Sequence, residues 1–252
     1  MRVVSLFSYG PSWGLPCISP FVTKVAYYMD LAGIPYRLVR TNPFTLIADT
    51  PHGKLPMIED VDGAIVSDST TIIHHLEATR GQPLDGGADD REQAQMVAFN
   101  RLLDEHFYWT AVIQPRWREQ LDWETYVSVF QGNQTAGREL RQKLATFRRR
   151  ILAEFEGQGA GRCSVEEVYA RARRDVDALA GQLGARRYFM GDKLRSIDAT
   201  VLAFLKHTLE VPFEYDTKRY IATKPELVDY VTRLSDQIGT TSNIGEICEM
   251  IS

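Results

Sequence analysis

Two residues suited to sulfur or hydroxyl chemistry, Cys17 and Ser19, stand two apart in LPCISPFVTKVAYYMDLAGIPY (Leu15 to Tyr36). Both lie just ahead of an apolar-periodic segment that reads as a helix. The first turn of a helix presents unpaired backbone N–H groups and the positive end of the helix dipole, and both favour an anion. A nucleophile, or a group that stabilises a thiolate, would gain from that position. Ser19-Pro20 is also a good helix start in its own right, because serine is a preferred N-cap and proline is preorganised for the first helical position. His74-His75 carry less chemistry. Adjacent residues on a helix point about 100° apart, no HExxH pattern or third ligand follows, and the pair reads as solvent-facing. No Cys/His spacing suits a metal, and none is expected.

Composition narrows the function class. The chain has 252 residues, 44% hydrophobic and 25% charged, which is ordinary for a globular protein and long enough for one large or two modest domains. A formal net charge of −4 leaves no electrostatic footprint for nucleic acid. The basic runs Phe147 to Arg150 and Arg171 to Arg174 have Glu154, Glu156, Glu166 and Glu167 nearby and read as solvated helix faces. The cysteines, Cys17, Cys163 and Cys248, are odd in number and far apart, which points to free thiols in a reducing compartment. The N-terminus reads as a strand rather than a signal peptide, and no apolar run reaches the ~18 residues of a membrane span. A cytoplasmic location without a membrane span is expected.

The elements that must position Cys17 and Ser19 follow from pattern. Arg2 to Ser8 is a short strand, the helix from Ser19 stops near Ala32 at Gly33 and Pro35, and Tyr36 to Val39 is a second strand. Thr41 to Lys54 is a loop with one helical turn near Phe44 to Ala48. Met57 to Asp60 and Ala64 to Val66 form a hairpin turning at Asp62-Gly63. A helix carrying Ile72, Ile73 and Leu76 closes at Gly81. Gly81 to Ala88 is a linker by composition, and beyond it the strong patterns are helical, over 89–117, 123–130, 137–156, 164–183, 196–209 and 225–238. The expected division is 1–82 and 88–252.

Four motifs in order, SPFVTKV, GKLP, SDS and GDKLRSIDA, resemble the glutathione transferase superfamily over essentially the whole chain. PSWGLPCISPFVTKVAYYMDLAGIPY, GKLPMIEDVDG, SDSTTIIHHLE and LLDEHFYW are similar to its metaxin and failed-axon-connections branch, which has soluble bacterial members. The resemblance implies a thioredoxin-like α/β N-terminal domain of order βαβαββα that binds glutathione, followed by an all-helical C-terminal domain, commonly as a homodimer. It also implies a cis Pro56, with Leu55 offering its backbone to the cysteinyl part of glutathione and Lys54 reaching the glycyl carboxylate. Asp68 and Ser69 match the pair that holds the γ-glutamyl end. Either can also simply cap the helix.

Members of this superfamily stabilise the glutathione thiolate with a serine, cysteine or tyrosine near the first helix. Ser19 is the aligned candidate. Cys17 is two residues upstream of the position where a thiol belongs, and Tyr9 is a third option after the first strand. Tyr108, Trp109 and Trp117, in a helix whose counterpart borders the cleft, are expected to wall the site of a small apolar electrophile. In RSIDAT the cap position expected from Asp198 falls on Arg195 rather than Ser196. The expected function is conjugation of glutathione, as co-substrate, to a small electrophile. The alternatives are a non-catalytic metaxin-like interaction module, or a glutathione-dependent reductase using Cys17.

Overall fold

Val4–Ser8, buried at every position, forms the central strand β1. The structure, a computed structural model, describes residues 3–41, 50–51, 53–80, 83–121, 123–124, 127–128, 137–241 and 244–249. The loop ahead of α1 (Pro20–Leu31) leaves Ser19 in extended backbone at the N-cap and Pro20 at the start of the helix. The helix ends as the sequence predicts. Gly33 takes φ +65°, a conformation glycine adopts without a Cβ clash, and the Gly33 and Ile34 N–H groups donate to the carbonyls of Asp30 and Met29 at 3.2 and 2.8 Å.

β2 (Tyr36–Arg40) lies parallel to β1, with Leu6 opposite Leu38. β3 (Met57–Glu59) runs antiparallel to β1, and β4 (Ile65–Ser67) pairs antiparallel with β3. α2 (Ser69–Thr79) completes the α/β unit. The helical turn expected at Phe44 to Ala48 and the closing Gly81 lie outside the described residues.

The second unit begins with α3 (Asp90–Arg101), entered through a reciprocal cap between Asp89 and Glu92. It continues directly into α4 (Leu102–Arg118), which is wound more widely, and the Glu119 N–H reaches back five residues to the Gln114 carbonyl at 3.1 Å. α5 (Arg138–Gln158), a 3₁₀ turn at Ala160–Arg162, α6 (Val165–Leu183) and α7 (Ser196–Leu209) follow. A short α8 (Asp216–Ala222), which periodicity does not reveal, precedes α9 (Pro225–Thr241). The helix expected over 123–130 lies partly outside the described residues.

At α7 the cap position is Arg195. The Asp198 carboxylate accepts from its N–H at 2.8 Å, while Asp85 in the linker takes the Ser196 N–H and hydroxyl at 2.8 and 2.6 Å. An acid from the first half of the chain thus stands in for the serine cap.

The expectation that everything beyond the linker is helical needs one correction. β5 (Ile244–Glu249) returns to the first unit and pairs in parallel with β2, giving the sheet order β4-β3-β1-β2-β5. β2 would otherwise present unpaired backbone groups along that side, and a strand there satisfies them. One apolar core runs through both units, with α1 packed along α7. Val25, Met29, Ile58, Leu76, Phe204 and Leu205 within it are fully buried, and burial of each such side chain contributes about 1.5–3 kcal/mol.

Candidate functional site

A cavity of about 380 Å³ opens where the start of α1, the β3 approach, the start of α2 and the inner faces of α4 and α5 meet. Ser19 stands on its wall. Its side chain makes no capping hydrogen bond, so the hydroxyl is not committed to the helix it precedes. The Leu55–Pro56 bond is cis as expected, and both residues line the cavity with Lys54, Asp68 and Ser69.

Each of these departs somewhat from a simple ligand contact. Lys54 is exposed and its Nζ is paired to Glu154 Oε2 at 2.8 Å. Asp68 is the N-cap of α2, and its Oδ1 accepts from the Thr71 N–H and Thr71 hydroxyl at 2.9 and 3.1 Å, so the capping reading holds for that oxygen. Asp68 sits at φ +76°, a backbone conformation that costs a residue with a Cβ of order 1–3 kcal/mol. Ser69, at the first position of α2, is buried, beside the N-terminal N–H groups of that helix.

Behind this end lies a polar cluster that sequence reasoning missed. Lys24, fully buried in α1, donates to Asp104 Oδ2 and Asn100 Oδ1, each at 2.8 Å, and to Thr70 Oγ1 at 3.2 Å. Asn100 also donates to Asp104 Oδ2 at 2.8 Å, while Asp104 Oδ1 is buried without a hydrogen-bond partner. Burial pushes the Lys24 ammonium below its usual range, and Asp104 offsets part of that shift. The available signal was a lysine inside the apolar run FVTKVAYYM, since a buried cation requires a paired acid.

Behind Ser19 lies a second network. Arg116, buried although it reaches the cavity wall, donates to the Ile18 carbonyl at 3.1 Å, to the His207 carbonyl at 2.7 Å and to His207 Nδ1 at 3.2 Å. A guanidinium only donates, so Nδ1 accepts, the imidazole is neutral, and its proton is on Nε2. Nε2 lies 2.9 Å from the Thr23 hydroxyl, which itself donates to the Cys17 carbonyl at 3.3 Å. Burial, reinforced by the Arg116 charge, holds the His207 pKa well below its ordinary value, which agrees with this assignment. The Ile18 carbonyl is therefore held directly from the second unit, and the Cys17 carbonyl by Thr23 of α1, which His207 backs. The guanidinium also lies 5.0 Å from the Trp13 ring centroid.

Cys17 is not brought to the cavity. It is fully buried, its Sγ accepts the Ser19 N–H at 3.4 Å, and burial raises its pKa, leaving a neutral thiol. Tyr9 does line the cavity, and burial pushes its phenol up to about 12 against a hydrogen bond from the Leu55 backbone. It is a proton donor at neutral pH.

Tyr108, Trp109 and Trp117 all line the far side. Tyr108 packs on Phe21 at 4.8 Å between centroids, Trp109 stacks on Phe155 at 5.9 Å, and Trp117 meets Phe147 at 5.5 Å. His106, on the same helix, turns away to Asp175, with Nδ1 2.6 Å from Oδ2. His75 corrects the solvent-facing expectation: it is half-buried, with Nε2 2.7 Å from Asp60 Oδ2, because the β3–β4 turn folds over α2. Among the described residues no group of three His, Cys, Asp or Glu is placed to hold a metal ion, and no helix is long and apolar enough to cross a membrane.

Comparison with known proteins places this geometry. Residues 20–122 match the Glutathione S-transferase N-terminal domain, and residues 172–234 the Glutathione S-transferase C-terminal domain. The chain is 42% identical over 235 residues to the isoprene-epoxide–glutathione S-transferase of Rhodococcus sp. (strain AD45), spanning 93% of this chain and 99% of that protein. It is 24% identical over 249 residues to Failed axon connections of Drosophila melanogaster, spanning 93% of this chain and 58% of that protein. A glutathione S-transferase of Methylobacterium radiotolerans JCM 2831, solved with glutathione sulfonate, has the same fold, with a TM-score of 0.64, 18% identity and coverage of 100% of both chains. Two domain matches in order and a relative of this identity along its full length establish that the chain belongs to the glutathione S-transferase family.

Proposed function

We propose that this cavity holds glutathione across Lys54, Leu55, Pro56, Asp68 and Ser69, with its sulfur at Ser19, and that the aromatic wall takes a small apolar epoxide. The enzyme conjugates glutathione to the electrophile by attack of the thiolate. The observation that carries the Ser19 role is its position at the start of α1, on the cavity wall, with a hydroxyl that makes no cap. That hydroxyl and the first-turn N–H groups favour the thiolate over the thiol.

The γ-glutamyl ammonium is matched by Asp68 and by the unpartnered Oδ1 of Asp104. Its carboxylate is matched by Ser69 and the start of α2. Attack on an epoxide forms a carbon–sulfur bond and breaks a carbon–oxygen bond, and the resulting alkoxide takes up a proton. The Tyr9 phenol, kept neutral by burial, is on the wall to supply it. The epoxide class is taken from the substrate named for the Rhodococcus relative.

A reductase acting through Cys17 is not favoured, because a buried neutral thiol neither reaches the cavity nor attacks. The reading extends to a cytoplasmic homodimer, supported by the free thiols of Cys17 and Cys163 and by the habit of the superfamily. The test is titration calorimetry with glutathione, followed by product analysis with isoprene monoepoxide. Heat of binding and a glutathione adduct are expected, and absence of both at millimolar glutathione would overturn the reading.

A further inference from the structure

A second cavity, of about 400 Å³, lies between the loop preceding α1, α1 itself, β2, α7 and the end of α9. No residue lines both cavities. Its volume falls within the range of small-molecule sites, roughly 300–1,000 Å³. Pro11, Leu15, Pro16, Leu38 and Ile238 make most of the wall apolar, and the ionisable groups there are Tyr27, Asp30 and Lys206.

Asp30 is the anomaly in that wall. It is 2% exposed, its Oδ2 accepts from the Tyr36 hydroxyl at 3.3 Å, and its Oδ1 has no hydrogen-bond partner. Buried carboxylate oxygens are normally satisfied, and one that is not costs the desolvation without a return. Lys206 does not fill the gap. Its Nζ is engaged by the Ser235 hydroxyl at 3.2 Å and Glu210 Oε1 at 3.4 Å, so that pair is neutral as a unit. The groups facing Asp30 are therefore the Tyr27 and Tyr36 phenols and the Lys206–Glu210 pair. The loop from Pro11 to Pro16 and the α9 wall at Ser235, Ile238 and Gly239 bring no further charge.

We propose that this cavity is a second ligand site that takes a small primary amine with an apolar body, its ammonium set against the Asp30 carboxylate. The ammonium supplies the partner Oδ1 lacks, and the apolar body takes the place of water against prolines and aliphatic side chains. Burial holds the Asp30 carboxyl up at about 7, against the lowering effect of the Tyr36 hydroxyl. Binding of a cation therefore strengthens as pH rises through that value. The cavity shares the Pro11 to Pro16 loop with the approach to Ser19, so an occupant touches the segment that leads into the first site.

The test uses benzylamine as the probe, with benzyl alcohol as its neutral counterpart, by calorimetry and protein-detected NMR at pH 8, with and without saturating glutathione. Benzylamine is expected to bind at least tenfold tighter than the alcohol, to lose at least tenfold at pH 5.5 or in Asp30→Asn, and to shift the Leu38 and Gly239 amides. Gly239→Leu serves as a second variant should Asp30→Asn not fold. Gly239 is on the cavity wall and a Cβ there meets no neighbouring atom, so the fold accommodates a leucine at the cavity rim, and a tenfold loss is again expected. Equal binding of the alcohol, undiminished binding in either variant, displacement by glutathione, or no binding at all would each overturn the proposal. The titration without glutathione separates this outcome from any failure of the first site.

Discussion

Arg116 Nη1 donates to the Ile18 carbonyl at 3.1 Å across 98 positions of sequence, and the same guanidinium holds the backbone and ring of His207. The peptide that delivers Ser19 is thus anchored to the helical unit rather than to its own loop. Lysine is a point donor on a flexible stem and cannot span three acceptors. Arg116→Lys is expected to destabilise the fold by about 1–3 kcal/mol, the cost of acceptors left unpaired, and to lower kcat/KM for conjugation about tenfold in the folded fraction. Urea unfolding and steady-state kinetics measure the two effects, and unchanged kinetics in a destabilised protein would break the link to Ser19.

In the proposed role, Ser19→Ala takes away the hydroxyl offered to the thiolate without disturbing the cap, since that hydroxyl makes none. Conjugation is expected to slow by roughly 10–100-fold, about 1.4–2.7 kcal/mol, while glutathione affinity changes less than about threefold. The ultraviolet absorbance of the bound thiolate should titrate at higher pH. A larger effect from Cys17→Ser than from Ser19→Ala would transfer the role to the cysteine.

Trp109 is half-buried on the cavity wall and backed by Phe155, so its outer face is the surface offered to an apolar substrate. Trp109→Ala is expected to raise KM for the electrophile about fivefold or more and leave glutathione affinity within about twofold. Steady-state kinetics with each substrate varied in turn would show it. An effect confined to glutathione would place Trp109 in the other subsite.

Two buried groups bend the stability curve in opposite directions. The folded pKa of His207 is held well below the ordinary 6.5 by burial and by Arg116. Below about pH 6.5 the unfolded chain gains a proton there and the folded chain does not, so stability falls with falling pH by about 1.4 kcal/mol per unit. Asp30 is raised from 3.8 to about 7 by burial, so between those values the folded chain keeps a proton that the unfolded chain has lost. Its contribution is therefore present below about pH 4 and lost as pH rises to 7, by a few kcal/mol in all. Denaturant unfolding from pH 4 to 8 should show Asp30→Asn gaining on the parent protein as pH rises. A pH-independent difference would show that Asp30 ionises normally.

Local chemistry was readable where one stretch of chain decides the outcome. Ser19-Pro20 and Gly33 bracket α1 because cap and stop preferences are backbone properties of single residues. Tyr108, Trp109 and Trp117 were expected at the cleft because the resemblance places their helix along it, and all three do line the cavity. Asp68 was legible as both cap and ligand candidate, since the same carboxylate geometry serves either.

The sequence by itself determined the order of β1 to α2 and of the long helices beyond the linker, the helix boundaries around the site and, through SPFVTKV, GKLP, SDS and GDKLRSIDA, the family. Tertiary structure alone decided which polar groups meet. Lys24 finds Asp104 from 80 positions away, Arg116 reaches the Ile18 carbonyl while His207 backs the Thr23 hydroxyl that holds the Cys17 carbonyl, β5 returns to pair with β2, and Asp30 is enclosed with one oxygen unmatched. Periodicity reports which side of an element faces the core. It carries no information about which side chain from another element will stand opposite, because that depends on packing of the whole chain. The same packing buried Cys17 and left Ser19 on the cavity wall two residues further on.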